Sequence, residues 1–536
     1  MRKQTLIFAA LALLFTLLMS LPWLVPHMGW TALVGLLPLL IMERLASQYK
    51  VKHFFWWHYG SFVLWNAVTT WWVGCATVGG AIFAILANAL QMSVVFGGFR
   101  WVKRRAGGMM PYIFLAAAWI AWERFYLTSA QISWPWLVLG NAFADTVSLV
   151  QWYSVLGTLG GSLWIWLANL SLFGLMVALS DGRMAYWNGK ARVAALLGTV
   201  AVFFGPMIWS ACTRFDEKGP SLAVVIGQPN LDPYEKFESL TQEQQDGRLI
   251  AQWEKAVWPS GDTPVLVLAP ETFTSPLYMD RVADNPTFLR FQEFLQRHPS
   301  ATLLFGASSY DRTVSYAAPD ICSYDLGELS DGRHQWYTAH NTAVLTDTSG
   351  RYAAYHKSKL VVGVELTPYP KLFIPLENLL GGSLMGKDVG QKEVSCLDSI
   401  GTAICYESVY GEHCTRYVKK GARLLTVITN DAWWGDTPGY RQHLNYSRLR
   451  AIELRRWVAR CGNTGISAII DPHGRVLART PWWEEAVLQG TVEELSGESF
   501  FVRYGDMVGR VSVFLFLLLL AGAILSAVRP GWKGRS

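Results

Sequence analysis

The stretch Gly401-Thr402-Ala403-Ile404-Cys405-Tyr406-Glu407 runs from a short apolar segment through a cysteine into two polar residues. A short apolar run that ends in this way is typical of a strand buried on both faces. The stretch therefore predicts a buried strand that delivers Cys405 to a turn, followed at once by Tyr406 and Glu407.

Similar apolar runs recur between residues 213 and 506 and are separated by amphipathic helical stretches. Strands interleaved with helices predict a layered α/β domain, and roughly 290 residues can bury a full core without disulfides. The predicted strands lie at 221–226, 265–269, 302–305, 341–346, 400–404, 424–429, 465–470 and 487–492, and the predicted helices at 242–257, 286–297, 412–420 and 443–456.

The chain as a whole is apolar, because hydrophobic residues make up 51% and charged residues only 16% of its 536 residues. The charged share of an average soluble protein is about a quarter. This composition excludes a disordered chain, a coiled coil and a typical nucleic-acid-binding protein. The chain has a net charge of +6 and contains 26 tryptophans. A mild excess of Lys and Arg and many Trp residues are typical of the segments that flank membrane-spanning helices.

Apolar segments of roughly 17–25 residues can span a bilayer as helices. The first such segment lacks a small-residue cleavage site, so we interpret it as an uncleaved helix and not as a signal peptide. The chain then divides into a seven-span membrane domain at 1–212, a soluble domain at 213–506, and a last helix with its tail at 507–536. The predicted spans lie at 5–24, 28–45, 55–75, 78–98, 110–127, 158–180, 193–212 and 507–528.

Lysine and arginine residues are distributed unevenly between the loops. They precede the first predicted span and follow the second, fourth, sixth and eighth spans, whereas the loops at 21–30, 75–79 and 128–157 contain none. Cationic loops stay in the cytoplasm. The distribution therefore predicts eight spans with both termini in the cytoplasm and the soluble domain on the other side of the membrane.

Glu123 and Arg124 are charged residues at the outer end of the fifth predicted span. Charges in this position bind a substrate less often than they pair with a partner inside the bundle. We therefore expect them to be interfacial or internally paired.

Three predicted strand ends in the soluble domain carry a reactive side chain, namely Glu271, Lys357 and Cys405. Each of them alone is more often a capping carboxylate, a surface cation or a small core residue. Together they provide a base, a cation for a developing oxyanion and a nucleophile. A carboxylate can act as the base for a thiol if burial raises its pKa.

A cysteine–histidine pair is the rival arrangement. His413 follows Cys405 most closely, and His356 and His443 are also available. A histidine base normally needs a third residue that orients it. The chain contains no GxSxG, Walker A or HExxH motif, which argues against a serine-elbow hydrolase, a phosphate-binding loop and a zincin.

Several motifs resemble those of a known family. APETF at 269–273, YHKSKL at 355–360 and ICYES at 404–408 resemble the Glu-Lys-Cys motifs of the nitrilase superfamily. NDAWWGDTPGYRQH at 430–443 and RAIELRRWVARCGNTGIS at 450–467 are more specific. With the eight predicted spans, the whole chain resembles the apolipoprotein N-acyltransferases of the bacterial envelope. This resemblance implies an α-helical membrane bundle of about eight spans and a nitrilase-like α-β-β-α sandwich.

The resemblance also implies roles for individual residues. Glu271 matches the general base of the family, Lys357 its oxyanion-stabilising lysine and Cys405 its nucleophile. The chain departs from the family before Glu365, where the sequence is Val362-Gly363-Val364-Glu365 and the family usually has Val-Pro-Phe-Gly-Glu. The residues with implied supporting roles are Glu365, Tyr406 and Glu407.

The activity that the resemblance implies is a two-step acyl transfer. A phospholipid donates an acyl chain to Cys405, and the thioester then acylates the N-terminal amine of a diacylglyceryl-cysteine on a lipoprotein. The implied location is the bacterial inner membrane, with the catalytic domain on the periplasmic side. We expect no metal or cofactor and no nucleic-acid partner.

Two other functions remain open from the sequence. A membrane-tethered amidase of the nitrilase type would use water or another amine as the acceptor, and the eight-span frame argues against it. A non-catalytic receptor or transporter subunit would have an inactive domain, and the complete Glu-Lys-Cys set argues against that.

The predicted topology can be tested with single cysteines in a background without the seven native ones. A cysteine at Asn188 should react with a membrane-impermeant maleimide only after the cytoplasmic side is opened. A matched cysteine at Ser129, in a loop without cations, should react from the opposite side. Labelling of the Asn188 site from the periplasmic side alone would contradict the number of spans.

Overall fold

The structure is a computed structural model that describes residues 2–379 and 385–528. It contains two compact units. The helical unit comprises Met1–Ala130, Trp134–Arg214 and Tyr504–Ser536, and the sandwich unit comprises Gln131–Ser133 and Phe215–Arg503. The cations predicted after the last span, Arg529, Lys533 and Arg535, lie outside the described residues.

All eight apolar segments are helical over most of their length. The described helices of this unit are α1 (Arg2–Leu24), α2 (Ala32–Gly35), α3 (Leu37–Gln48), α4 (Phe55–Thr70), α5 (Val73–Ala76), α6 (Val78–Lys103), α7 (Met110–Thr128), α8 (Tyr153–Ser180) and α9 (Gly189–Cys212), together with the C-terminal helix Met507–Val528.

Six helical segments are long and apolar enough to cross a membrane, within the part of the chain that the structure describes. Helix α4 is shorter, with 16 residues, and α7 contains Glu123 and Arg124. The predicted α-helical membrane bundle is therefore confirmed. The six segments are Lys3–Leu24, Gly29–Gln48, Val78–Lys103, Tyr153–Ser180, Gly189–Cys212 and Met507–Ala527.

The two charged residues of α7 have polar partners inside the helical unit, and Arg124 has a charged one. Arg124 Nη1 donates to Asp506 Oδ2 over 2.8 Å. Glu123 is fully buried, and its Oε1 accepts hydrogen bonds from the Leu139 amide over 2.8 Å and from Trp119 Nε1 over 3.1 Å. Both side chains therefore have partners within the helical unit.

The sandwich unit contains two β-sheets. The larger sheet has the strand order β13-β1-β2-β4-β6-β5, with β3 paired to β4 and β7 paired to β6, and the smaller has the order β12-β11-β10-β9-β8. The strands are β1 (Ser221–Gln228), β2 (Val265–Leu268), β3 (Thr274–Tyr278), β4 (Ala301–Ser315), β5 (Tyr324–Glu328), β6 (His334–Thr346), β7 (Tyr352–His356), β8 (Ile400–Ile404), β9 (Leu424–Thr429), β10 (Val458–Gly462), β11 (Ala468–Ile470), β12 (Val476–Arg479) and β13 (Ala486–Glu493).

Two helices pack on the outer face of each sheet, those at Gln242–Glu254 and Pro286–Arg297 on the larger sheet and those at Gly411–Lys419 and Pro438–Leu454 on the smaller. The remaining described helices are α10 (Pro233–Glu238), α11 (Gln242–Glu254), α12 (Pro286–Arg297), α13 (Pro370–Leu379), α14 (Gly411–Lys419), α15 (Pro438–Leu454) and α16 (Phe500–Tyr504), and Met507–Val528 is α17.

Two hydrophobic cores hold these layers together. One core joins the inner faces of the sheets and reaches α14 and α15, through residues such as Leu266, Ile404 and Tyr417. The other packs the outer face of the larger sheet against α11 and α12, through residues such as Val267 and Phe291. Because successive residues of a strand face opposite sides, strands buried on both faces are continuously apolar. The predicted α-β-β-α sandwich is confirmed.

The structure differs from the sequence prediction mainly at elements that are polar or short. The strands predicted at 302–305 and 341–346 are the buried ends of β4 and β6, which continue into exposed, polar halves. Five short strands, β3, β5, β7, β10 and β12, lacked a recognisable pattern. The helix predicted at 443–456 begins earlier, because Thr437 caps it and Pro438 opens it.

Gly306 of β4 supports the segment that carries Glu271. A Cβ atom at Gly306 would lie 2.5 Å from the Pro270 carbonyl oxygen and 2.6 Å from both Glu271 Cα and the Thr272 amide nitrogen. These are backbone atoms, which cannot turn aside as a flexible side chain can. The close approach of the two segments therefore requires glycine at this position.

We predict that Gly306→Ala displaces the segment around Glu271 and costs about 1–3 kcal/mol of stability, as overpacking typically does. The measurement is the melting temperature of the detergent-solubilised protein, which should fall. Gly247→Ala is the matched control, since a Cβ there meets nothing within 4 Å and helix α11 should gain slightly. Equal melting temperatures for the two variants would show that the contact is unimportant.

Candidate active site

The three predicted catalytic residues lie just beyond the ends of strands. Glu271 follows β2 after Ala269 and Pro270, Lys357 directly follows β7, and Cys405 directly follows β8. Cys405 also opens a short 3-10 turn, Cys405–Val409. Strand ends hold these residues with little freedom because the preceding strands are anchored in the cores.

Lys357 lies between two carboxylates. Its Nζ donates to Glu365 Oε1 over 2.8 Å and to Glu271 Oε1 over 3.2 Å, and its side chain is fully buried. Burial alone would lower the pKa of Lys357, but the charges of Glu365 and Glu271 raise it well above the ordinary value. Lys357 therefore stays cationic in a buried site.

Asn341 completes this arrangement and was missed from the sequence. Its Nδ2 donates to Glu271 Oε1 over 2.7 Å and to Glu365 Oε1 over 2.8 Å. The second carboxylate oxygen of Glu271 accepts from the Asn430 amide over 3.0 Å. Asn341 bridges the two acids, so both carboxylates are fixed toward the lysine. Its only sequence signal was a polar residue at the start of a predicted buried strand.

The loop before Glu365 departs from the family pattern but still directs this side chain to Lys357. Gly363 has a φ of +83°, a conformation that suits glycine. The Glu365 amide donates to the Val361 carbonyl over 2.9 Å, and Glu365 Oε2 accepts from the Val361 amide over 2.7 Å. The turn and the carboxylate thus support each other.

Cys405 has a φ of +50°, in the left-handed region that non-glycine residues adopt rarely. Such residues cluster at functional sites. Burial raises the pKa of the Cys405 thiol well above its ordinary value, the Glu271 carboxylate raises it further, and the Lys357 cation opposes both. The thiol is therefore protonated at rest and needs a base before it can act as a nucleophile.

Glu407 connects the segment after Lys357 to the turn that carries Cys405. Its Oε1 accepts from the Ser358 amide over 2.7 Å and from Tyr355 Oη over 2.7 Å, and its Oε2 accepts from the Ile404 amide over 2.9 Å. Burial alone would raise the pKa of Glu407, but the hydrogen bond and charge of His413 and further hydrogen bonds keep it below its ordinary value. Glu407 is thus a buried anion that links the end of β7 in the larger sheet to the end of β8 in the smaller sheet.

Tyr406 takes a different direction. Its hydroxyl donates to the Ser133 carbonyl over 3.1 Å, and its ring packs edge-on against Tyr410 at 5.1 Å. Of the three residues with implied supporting roles, Glu365 contacts Lys357 and Glu407 anchors the Cys405 turn, while Tyr406 anchors the turn to the segment Gln131–Ser133.

The histidine near Cys405 is His443. One ligand atom from each of Cys405, Asp431 and His443 lies within 4.8 Å of the others. His443 Nε2 lies 3.1 Å from the Cys405 carbonyl oxygen, and its Nδ1 lies 2.9 Å from Asp431 Oδ1. His413, the histidine that follows Cys405 most closely in sequence, lies with Glu407 at 3.4 Å and belongs to the Glu407 network.

Asp431 is held as an anion beside this histidine. Arg460 Nη2 donates to Asp431 Oδ2 over 2.5 Å, and all three side chains are fully buried. Burial would raise the pKa of Asp431, but the charges of His443 and Arg460 lower it. The Asn430-Asp431 pair directly after a buried strand was the signal that could have identified this residue.

Two family models match separate parts of the chain. The model described as apolipoprotein N-acyltransferase N-terminal domain matches residues 15–171, and the model described as carbon-nitrogen hydrolase matches residues 264–498. A protein of Chlorobaculum tepidum named apolipoprotein N-acyltransferase is 29% identical, over 95% of this chain and 93% of its own. The resemblance of this chain to the apolipoprotein N-acyltransferase family is confirmed.

Another relative with the same name, from Geobacter metallireducens, is 28% identical over 84% of this chain and 80% of its own. Among solved structures, the nitrilase-superfamily protein Nit3 of Saccharomyces cerevisiae covers 52% of this chain and 93% of its own. It is 16% identical and has a TM-score of 0.35.

The charges around Cys405 lead to a testable pH dependence. Glu271 raises the pKa of the thiol, so Glu271→Gln should shift the midpoint of Cys405 alkylation by iodoacetamide to lower pH. Lys357 lowers the pKa of the Cys405 thiol, so Lys357→Met should shift the alkylation midpoint to higher pH. Peptide mass spectrometry after timed alkylation measures the rate at each pH.

Cys396 is the internal control for this experiment. Burial and the Asp398 charge raise the pKa of its thiol to about 11, and neither Glu271 nor Lys357 contributes. Its alkylation profile should therefore be the same in all variants. A shift of Cys405 to higher pH in Glu271→Gln would show that the carboxylate does not act on the thiol.

Proposed function

We propose that this chain transfers an acyl chain from a phospholipid, through a thioester on Cys405, to the N-terminal amine of a diacylglyceryl-cysteine on lipoproteins. The observation that carries the proposal is the cluster of Glu271, Lys357 and Cys405 in a buried site of a chain that also has a multi-pass helical unit. The relatives named apolipoprotein N-acyltransferase support N-acylation of a lipoprotein.

In the first half-reaction Glu271 takes the proton of the Cys405 thiol, and the thiolate attacks the carbonyl carbon of an acyl ester. The buried Lys357 cation, together with a backbone amide near Cys405 or Tyr406, stabilises the oxyanion. The ester C–O bond then breaks, the proton passes to the leaving alcohol, and a lysophospholipid departs. The product on the protein is a thioester.

In the second half-reaction the α-amine of the lipoprotein attacks the thioester carbonyl. An α-amine has an ordinary pKa of about 7.7–8.0, so a substantial fraction is neutral near that pH. Glu271 accepts the amine proton and returns a proton to the sulfur as the C–S bond breaks. The result is an amide on the lipoprotein and a restored Cys405 thiol, with no requirement for a metal or cofactor.

The proposed location is the inner membrane of a bacterium, with the domain at 213–506 on the periplasmic side between the domain at 1–212 and the last helix at 507–536. Both proposed substrates carry acyl chains that stay in a bilayer. A catalytic domain with membrane helices before and after it in the chain would remain near these substrates. Exposed apolar residues on α13, such as Leu372 and Leu376, would suit contact with lipid.

The two carboxylates beside Lys357 should differ in their effect on thioester formation. Losing a general base typically costs about 10²–10⁴-fold in rate, so Glu271→Gln should abolish measurable acylation of Cys405. Glu365 contacts Lys357 and should position it, so Glu365→Gln should slow acylation by roughly 10–100-fold, as the loss of an orienting partner does. Mass measurement of the protein with phospholipid and no acceptor gives both rates.

Cys405→Ser is the control, since it should carry no thioester that hydroxylamine cleaves at neutral pH. Near-normal turnover of this variant with a fluorescent phospholipid would refute the nucleophile assignment. Normal acylation in Glu271→Gln with none in Glu365→Gln would reverse the two roles. If the wild-type protein forms the thioester but passes the acyl group to water and not to a lipoprotein amine, the chain is an amidase-type hydrolase.

A further inference from the structure

Two histidines and an aspartate meet on one face of the larger sheet, away from the candidate active site. On β6, residues 338, 340 and 342 point to the same face, because side chains alternate along a strand. Asp311 of β4 lies opposite Thr338, and His356 of β7 lies opposite Thr342. His340 therefore lies diagonally between them, and one ligand atom from each of the three residues lies within 4.8 Å of the others.

This cluster is separate from the candidate active site, although their residues are adjacent in sequence. Asn341 and Lys357 directly follow His340 and His356, so their side chains lie on the opposite face of the same two strands. The contacts of Asn341 and Lys357 are with Glu271 and Glu365, whereas those of the histidines are with Asp311, Thr342 and Val389.

His340 is oriented as a metal ligand would be. Its side chain is 8% exposed, and Nδ1 lies 2.6 Å from the Val389 carbonyl oxygen, to which only an N–H can donate. In a neutral imidazole this leaves a lone pair on Nε2. Nε2 lies 3.3 Å from Asp311 Oδ2, with which it forms an ion pair when the ring is protonated, and a metal ion would replace that proton. A carbonyl that fixes the ring in this way is the usual support of a metal-binding histidine.

His356 has a similar support. Its Nδ1 lies 2.7 Å from Thr342 Oγ1, which in turn lies 2.6 Å from Ser309 Oγ. When the hydroxyl oxygen accepts from Nδ1–H, the remaining ring nitrogen Nε2 has a lone pair for a metal. The two imidazole rings stack with centroids 4.3 Å apart and planes 29° from parallel. Because a metal bond lies in the plane of an imidazole ring, the two rings would tilt further apart when they share one ion.

We propose that Asp311, His340 and His356 form a binding site for a divalent transition metal, best suited to Zn²⁺. Two imidazole nitrogens and one carboxylate favour zinc over magnesium or calcium, which prefer oxygen ligands. Tetrahedral zinc bonds of about 2.0–2.1 Å place two ligand atoms roughly 3.3 Å apart. The distance between His340 Nε2 and Asp311 Oδ2 already has this value.

The site is open on one side. The Asp311 side chain is 48% exposed, so an ion can enter from solvent and water can complete its coordination. Among the described residues, the other group with this ligand chemistry is Cys405 with Asp431 and His443, and it already contains the Arg460 cation against Asp431. A metal would have to compete with that charge, which makes the Asp311 site the better one.

The test uses the full-length protein in detergent, treated with a chelator, and Zn²⁺ titrated in competition with a chromophoric indicator. We expect one tight Zn²⁺ site per chain. His356→Gln removes a ligand and should weaken Zn²⁺ binding by at least roughly 10–100-fold, which is the effect of losing an outer-shell partner of a metal ligand. Asp311→Asn should also weaken Zn²⁺ binding. Because Asp311 is half-exposed, this variant should fold, whereas His340→Gln, a change at a buried residue, could reduce folding.

His334→Gln is the matched control. His334 Nδ1 lies 2.8 Å from Asp325 Oδ2, which makes a histidine–aspartate pair without a second histidine, so this variant should bind Zn²⁺ as the wild type does. Unchanged Zn²⁺ affinity in His356→Gln and Asp311→Asn would overturn the proposal. So would a wild-type protein that binds Zn²⁺ no more tightly than these two variants do.

Co²⁺ identifies the ligands independently. Binding at Asp311, His340 and His356 should give visible d–d bands without a thiolate-to-cobalt charge-transfer band in the near ultraviolet. These bands should disappear in His356→Gln and persist in Cys405→Ser. A charge-transfer band that Cys405→Ser removes would place the ion at the candidate active site and refute the proposal.

Discussion

The buried carboxylate of Glu407 is the interaction on which the rest of the sandwich site depends. It accepts hydrogen bonds from the amides of Ser358 and Lys359, which follow the larger sheet, and from the amide of Ile404, which ends a strand of the smaller sheet. An anion in a buried position is costly unless it is fully hydrogen-bonded. These hydrogen bonds hold the segment that follows Lys357 next to the turn that carries Cys405.

Around this anchor the site separates into two charged groups. In the first group Lys357 contacts Glu271 and Glu365, which Asn341 bridges. In the second group Asp431 contacts His443 and Arg460. The charges of Glu271, Lys357 and Asp431 all act on the Cys405 thiol, and His443 also reaches the Cys405 carbonyl. Strand β8 therefore fixes the backbone directly before Cys405, and His443 contacts the carbonyl of Cys405 itself.

The sequence predicted the parts of this site that leave a local signal. Glu271 and Cys405 each follow a predicted strand, and a polar residue after an apolar run is visible without a structure. Lys357 follows β7, which was not among the predicted strands, and the motif YHKSKL at 355–360 identified it. Asn341, His443 and Arg460 act through contacts with residues far along the chain, and Asn341 and Arg460 lie within strands. The strand Val458–Gly462 was missed for the same reason, because a buried arginine interrupts its apolar pattern. In the helical unit, long apolar segments made the prediction simple.

The paired acids around Lys357 have a consequence for how charge moves in the buried site. With both carboxylates ionised, the lysine protonated and the thiol neutral, the cluster of Glu271, Glu365, Lys357 and Cys405 has one net negative charge. Transfer of the thiol proton to Glu271 leaves that sum unchanged. In the proposed mechanism the cluster would therefore act as a closed proton reservoir: the thiolate would form without an ion or hydroxide entering from bulk solvent, so the reaction would not need water in the site.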